Sequence, residues 1–233
     1  MAAGRPRLVH DTVILRAAVE VMGRAGPDGF TLAAVAREAG LAPATLVQRF
    51  GSKHGLLLAL AEQSAKDATA QAQQDWRAHG SVLAALAAFA TTATDPLATP
   101  ERFANHLAFL CLDLTDPQLH EHALAVHQAH GQVIGTLLAA ALAGGELRPG
   151  TDVPALTAAV QAAIDGTGLS WALDRRGGLG QRIRDQLSHL LAPYRLPRHS
   201  TAETAEGDRR AARAPRSGRA GVTARHGTEG ENG

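Results

Sequence analysis

Residues 44–49 of this 233-residue chain read Ala-Thr-Leu-Val-Gln-Arg. On a helix, Ala44, Thr45, Val47, Gln48 and Arg49 share the face that is left when Leu46 turns inward. A hydroxyl, an amide and a guanidinium on one short face can reach base edges and phosphates in a DNA major groove. A second concentration of polar chemistry is histidine. Five of the eleven, His106, His120, His122, His127 and His130, fall within 25 residues. His127 and His130 stand three apart and share a helix face, a spacing that suits two metal ligands. No cysteine pair and no HExxH motif accompanies them, so no metal is expected, and these histidines read as surface groups or as a polar group in a pocket. The chain also has no Gly-rich phosphate loop, no nucleophile elbow and no paired carboxylates beside a plausible pocket. Neither an enzyme nor a cofactor is expected.

The elements that hold the first face are short and close together. Ile14, Leu15, Ala18, Val21 and Met22 recur at three- and four-residue spacing, which predicts a helix over 11–25 that Gly26, Pro27 and Gly29 break. Thr31 is suited to cap a helix over 32–39 with Val35, Ala36 and Ala39 inward. Gly40 ends that helix, and Pro43 opens a third over 43–49. Ser52 caps a longer helix over 53–78. Three short helices with a glycine turn between the second and third describe a helix-turn-helix. Val35, Ala36, Leu41, Leu46 and Phe50 are its expected internal contacts.

Phe30-Thr31, Val35-Ala36, Ala39-Gly40-Leu41, Thr45-Leu46, Phe50, Ser52-Lys53 and Leu56-Leu57 carry a resemblance to the TetR family of bacterial transcriptional regulators. It is close over about residues 8–62; beyond them it extends only to architecture. The resemblance implies an all-α fold of about nine helices, with a DNA-binding head followed by a ligand-binding and dimerisation body. It implies that Thr31 and Lys53 hold the DNA backbone at helix N-termini, where free amides and the helix dipole favour phosphate. Thr45, Gln48 and Arg49 would lie in the groove. Two positions depart from the family pattern: Val47 replaces a usual aromatic, and Ala42 replaces a usual hydroxyl cap. Operator sequence and affinity therefore do not carry over.

Behind the head, Gly and Pro clusters divide the chain into helices expected at 81–94, 101–114, 117–143, 152–176 and 180–194. Val153, Leu156, Val160, Ala163, Ile164, Leu169, Trp171 and Leu173 cover more than one face of the penultimate helix, and Ile183, Leu187, Leu190 and Leu191 line the last. Residues 164–171, Ile-Asp-Gly-Thr-Gly-Leu-Ser-Trp, resemble the eighth helix of many family members. The expected dimer surface is Leu156, Val160, Ile164, Trp171, Ile183, Leu187, Leu190 and Leu191; the competing reading is that they pack inside one chain. Phe89, Phe103, His106, Phe109, Leu110 and His127 are the candidate lining of an effector pocket, which the resemblance places among the middle helices; the few aromatics and many alanines there allow either a roomy apolar cavity or plain close-packed helices.

Aromatics make up 3% of the chain while apolar residues make up 45%, and alanine-rich composition favours helix over strand. The net charge of +1 is unevenly placed: residues 1–55 carry seven Lys/Arg against four Asp/Glu, and residues 56–195 carry nine against thirteen. A basic head on an acidic body suits a polyanion at one end. A single cysteine, Cys111, and the absence of any signal-like or membrane-spanning run suit a reducing cytoplasm. The expected organisation is a basic arm over 1–9, a DNA-binding domain over 10–55, a ligand-binding and dimerisation domain over 56–196, and a disordered tail over 197–233. The reading is a ligand-responsive repressor that binds a palindromic operator as a homodimer. Its rival is a protein-interaction module that keeps the fold without reading DNA.

Overall fold

The computed structural model describes residues 10–196, apart from several side chains in the second half of its fourth helix. The expected arm over 1–9 and tail over 197–233 lie outside the described residues. Among the described residues nine α-helices follow one another: α1 Asp11–Gly29, α2 Leu32–Glu38, α3 Pro43–Phe50, α4 Lys53–Ala78, α5 Val82–Thr92, α6 Pro100–Asp113, α7 Pro117–Ala143, α8 Val153–Asp174 and α9 Leu179–Leu191. Among the described residues there is no strand; Leu147 and Arg195 form one isolated antiparallel bridge.

Local chemistry fixes most helix starts. The side chains of Thr31, Ser52, Ser81, Thr99, Asp116 and Asp152 each accept a hydrogen bond from a backbone amide in the first turn that follows. Such caps satisfy donors that the helix cannot satisfy itself. Ala42 makes no side-chain cap, and α3 starts instead on Pro43, whose fixed φ suits a first helical position. α1 runs on to Gly29 rather than ending at residue 25, but Gly26 is non-helical at φ 63° and ψ −174°, so the expected break is present as a kink.

The buried apolar residues form two clusters. One gathers Ile14, Leu15, Ala18 and Val21 of α1, Phe30, Val35 and Ala36 at α2, and Leu46 of α3. Leu56 and Leu60 of α4 and Phe109 of α6 complete it, so a border at 55/56 cuts through this head core. The other cluster joins α5, α7, α8 and α9 through residues such as Leu86, Phe89, Ile134, Leu138, Val160, Trp171, Ile183 and Leu187.

That second cluster corrects the expected dimer surface. Leu156, Val160, Trp171, Ile183, Leu187 and Leu191 are all buried within a single chain, none more than 2% exposed. Only Ile164 and Leu190 of that set are partly accessible. Helical periodicity marks a face as inward-pointing; here the inward side is the chain's own core. The outward face of α8 is instead Ala155, Ala159, Ala162, Gly166, Leu169 and Leu173, spaced alternately four and three residues apart.

Candidate nucleic-acid interface

α3 is held by Leu46, which is completely buried in the head core. That anchorage leaves Ala44, Val47 and Gln48 exposed, with Thr45 and Arg49 half-buried at the edges of the same face. Gly40 at φ +68° and Gly51 at φ +73° turn the chain at either end of α3, in a region that glycine enters without steric penalty. The turn into α4 is tight: a Cβ on Gly55 would stand 2.1 Å from the Phe50 carbonyl oxygen.

The cations beside this face have partners within the head. Arg49 Nη1 donates to Asp11 Oδ1 at 2.9 Å, joining the end of α3 to the first turn of α1. Lys53 Nζ donates to the Pro27 carbonyl oxygen at 2.7 Å and lies 5.8 Å from the centre of the Phe30 ring. An ammonium at a helix N-terminus opposes the helix dipole, and the Pro27 carbonyl offsets that repulsion. The Thr31 hydroxyl accepts from the Ala34 amide at 3.0 Å, which leaves its own proton available to a further acceptor.

α6 joins the head to the body. Asn105 Nδ2 donates to the Gly23 carbonyl oxygen at 2.8 Å, and Arg102 donates to Glu20 at 2.9 Å and to the Pro96 carbonyl oxygen at 2.8 Å. Phe109 meets Phe30 edge-on, with ring centres 5.4 Å apart. Phe109 therefore belongs to the head core, which removes it from the expected effector pocket. At a second joint His54 of α4 lies 2.9 Å from Gln118 Oε1 and 3.6 Å from Asp116 Oδ2.

The remaining pocket candidates fall into the body. Phe89 is buried and meets His130 edge-on at 5.8 Å. Phe103 meets Trp171 edge-on at 6.5 Å and sits where Gly168 has no side chain; a Cβ there would be 2.4 Å from the ring. His127 bonds to Gln161, whose amide also donates to the His127 carbonyl oxygen at 2.8 Å. Leu110 is 37% exposed. Burial pushes His106 and His130 below the usual histidine range and Asp165 above the usual carboxylate range. His106 and Asp165 nevertheless keep accessible surface.

Several of these residues were not singled out from the sequence. Asp11, Glu20, Arg102, Asn105 and Gln161 act through partners dozens of residues away. Asp165 did leave a signal, since it is the one carboxylate between Val153 and Leu173.

Residues 14–60 match the family model of the bacterial regulatory proteins of the tetR family. The fold is shared with FadR, the fatty acid degradation regulator of Bacillus halodurans, at 18% identity and a TM-score of 0.62, over 80% of this chain and 100% of that one. FadR of Bacillus subtilis, solved with stearoyl-CoA, is 20% identical with a TM-score of 0.59, over 78% of this chain and 97% of that one. A protein of Saccharomonospora viridis, solved with choline, is 19% identical with a TM-score of 0.64, over 80% and 97%. No curated protein matches the chain.

Proposed function

We infer that this chain, whose head belongs to the tetR family of bacterial regulatory proteins, is a DNA-binding transcriptional repressor that works as a homodimer and responds to a small ligand. The observation that carries the reading is the outward face of α3: Ala44, Val47 and Gln48 stand exposed on a helix locked from behind by Leu46. Gln48 offers the paired donor and acceptor that suit adenine, and Ala44 and Val47 suit thymine methyls. Arg49, Lys53 and Thr31 border that face and would position it on phosphates. One such helix covers a half-site, so a two-fold dimer on a palindromic operator supplies the other half.

The exposed stripe on α8 is the surface for that dimer. Its alanines and glycine allow close helix approach, and Leu169 and Leu173, 47% and 78% exposed, supply apolar area. The ligand-bearing relatives support a body that takes a small effector, and α6 touches both the histidine-bearing region and the head. A ligand that favours one position of α6 would shift the population of DNA-competent heads. No helix among the described residues is long and apolar enough to cross a membrane, and the reading places the protein in the cytoplasm with its DNA.

One observation favours the rival interaction-module reading: Arg49 and Lys53 both have bonds inside the head. Binding to DNA flanking the protein's own gene, compared with a scrambled duplex over a salt series, separates the two. Selective binding that falls steeply with salt supports the regulator. Equal, weak binding to every fragment in a genome-wide selection, by protein shown to be folded, refutes it.

A further inference from the structure

We propose that Asp11 is a positioning residue for DNA recognition: by pairing with Arg49 across the seam between α1 and α3, it presents the guanidinium to an acceptor atom of the duplex. The proposal rests on the regulator reading and adds a residue to that same face.

Arg49 Nη1 and Asp11 Oδ1 stand 2.9 Å apart, although 38 residues separate them in the chain. Each partner sits on an element that the head core holds in place. Asp11 lies in the first turn of α1, one turn before Ile14, and Arg49 lies one turn after Leu46 on α3. Ile14 and Leu46 are both completely buried in the same cluster. The two backbones are therefore fixed relative to each other, and the bond carries that rigidity out to the tip of a side chain with many rotamers. The start of α1 also suits a carboxylate, because the helix dipole favours negative charge there.

The pair is open to a third group rather than sealed in the core: the Arg49 side chain keeps 22% of its surface accessible and Asp11 keeps 63%. Exposed ion pairs add little to stability, so stability is a weak reason for a carboxylate at this place. That place is the edge of the face on which Ala44, Val47 and Gln48 are exposed. A carboxylate by itself would repel a phosphate there; one bonded to a guanidinium orients a cation instead. Arginine carries five N–H groups in a rigid fork. A guanidinium tied at Nη1 can therefore serve a second acceptor, a phosphate oxygen or the O6/N7 edge of guanine. A side chain ordered beforehand also spares binding the entropy cost of ordering it. The opposite arrangement, a carboxylate that withholds Arg49 from DNA, predicts the opposite sign of coupling between the two residues.

A double-mutant cycle on the full chain reads that sign. The parent, Asp11→Asn, Arg49→Ala and the double variant are titrated by fluorescence anisotropy against a duplex recovered in the genome-wide selection and against its scrambled form. Affinities are taken per folded molecule, with the folded fraction read from urea curves, and Arg49→Gln replaces the alanine variant if that one does not fold. Asp11→Asn removes a negative charge in both backgrounds, so its effect in Arg49→Ala measures the charge alone. Relative to that effect, Asp11→Asn in the parent is expected to weaken binding by about two- to tenfold, the cost of ordering one long side chain. The loss falls on both duplexes where the acceptor is a phosphate, and on the selected duplex alone where it is a guanine edge. Effects equal within about twofold in the two backgrounds overturn the proposal, because the pair is then a contact within the fold only. A larger gain in the parent than in Arg49→Ala overturns it as well, because Asp11 then withholds Arg49 from DNA. Preference for the selected duplex without coupling refutes this inference alone. Coupling on both duplexes without preference for either refutes the regulator reading alone.

Discussion

Gly26→Ala combined with Asn105→Ala tests the joint between head and body. Gly26 holds φ 63° and ψ −174°, a region essentially confined to glycine, where a side chain costs about 1–3 kcal/mol. A Cβ at that position would also lie 2.7 Å from Asn105 Oδ1, and Asn105 is not free to retreat because its Nδ2 holds the Gly23 carbonyl oxygen at 2.8 Å. Giving up that part-buried bond costs about 1 kcal/mol. Gly26→Ala should therefore lose about 2–4 kcal/mol, and Asn105→Ala alone about 1 kcal/mol. In the double variant the clash is gone and the φ strain stays, so its loss should fall short of the sum by about 1 kcal/mol. Urea unfolding at one fixed protomer concentration reads all four species, the fixed concentration being needed because the stability of the proposed dimer depends on it. A Gly26→Ala change within about 0.5 kcal/mol of the parent refutes the strained backbone. Strict additivity refutes the contact.

Arg49→Ala and Lys53→Ala should both weaken DNA binding, Lys53→Ala almost equally on all sequences and with a salt slope lowered by about one per contact; fluorescence anisotropy over a salt series measures it. If Lys53→Ala lowers stability while binding per folded molecule stays unchanged, its bond to Pro27 is its whole role. Leu169→Glu with Leu173→Glu should give folded monomers in sedimentation, because both side chains are exposed in the single chain; a persistent dimer moves the interface elsewhere. His106 and His130 have lowered folded-state values, so the unfolded chain takes their protons first as pH falls below about 6.5. Stability should decline from there until their folded-state values are passed. Asp165, raised in the folded state, opposes the decline as pH falls through its own raised value. Melting temperatures from pH 7.5 to pH 5.5 (about one unit either side of the free histidine value) should therefore fall, and less so in His106→Gln with His130→Gln; equal curves refute the assignment.

Caps and breaks were legible because they are local. Thr31, Ser52, Asp116 and Asp152 each bond to an amide two or three residues ahead, and Gly26 with Pro27 interrupts α1 at the position composition suggests. The outward face of α3 follows from the same local logic once Leu46 is fixed inward. What failed was allocation among surfaces. In α8 an alanine-rich outer face gives little contrast with a leucine- and valine-bearing inner one, so the apolar residues of its inner side read as a subunit interface. Phe103, His106 and Phe109 follow one another at three-residue spacing on α6, so helix periodicity groups them along one face and does not say that Phe109 meets the head core while Phe103 meets the body. The ties from Arg102 to Glu20 and from Asn105 to Gly23 span 82 residues, a pairing that no local pattern encodes.

The allocation of α6 is also what makes a ligand response physically possible. This helix places Phe109 in the head core against Phe30, grips α1 through Arg102 and Asn105, and packs Phe103 against Trp171 in the body. Packed cores yield in discrete rearrangements rather than by smooth deformation, so α6 cannot turn or slide in one core without disturbing the other. Phe30, in turn, lies beneath the ammonium of Lys53 and immediately precedes Thr31, so a shift transmitted through Phe109 arrives at the two residues that border the α3 face. A coupling of about 1–3 kcal/mol is typical between regulatory sites, comparable to one charge-assisted hydrogen bond. A ligand that supplies one such bond in only one position of α6 would therefore be sufficient to shift the heads.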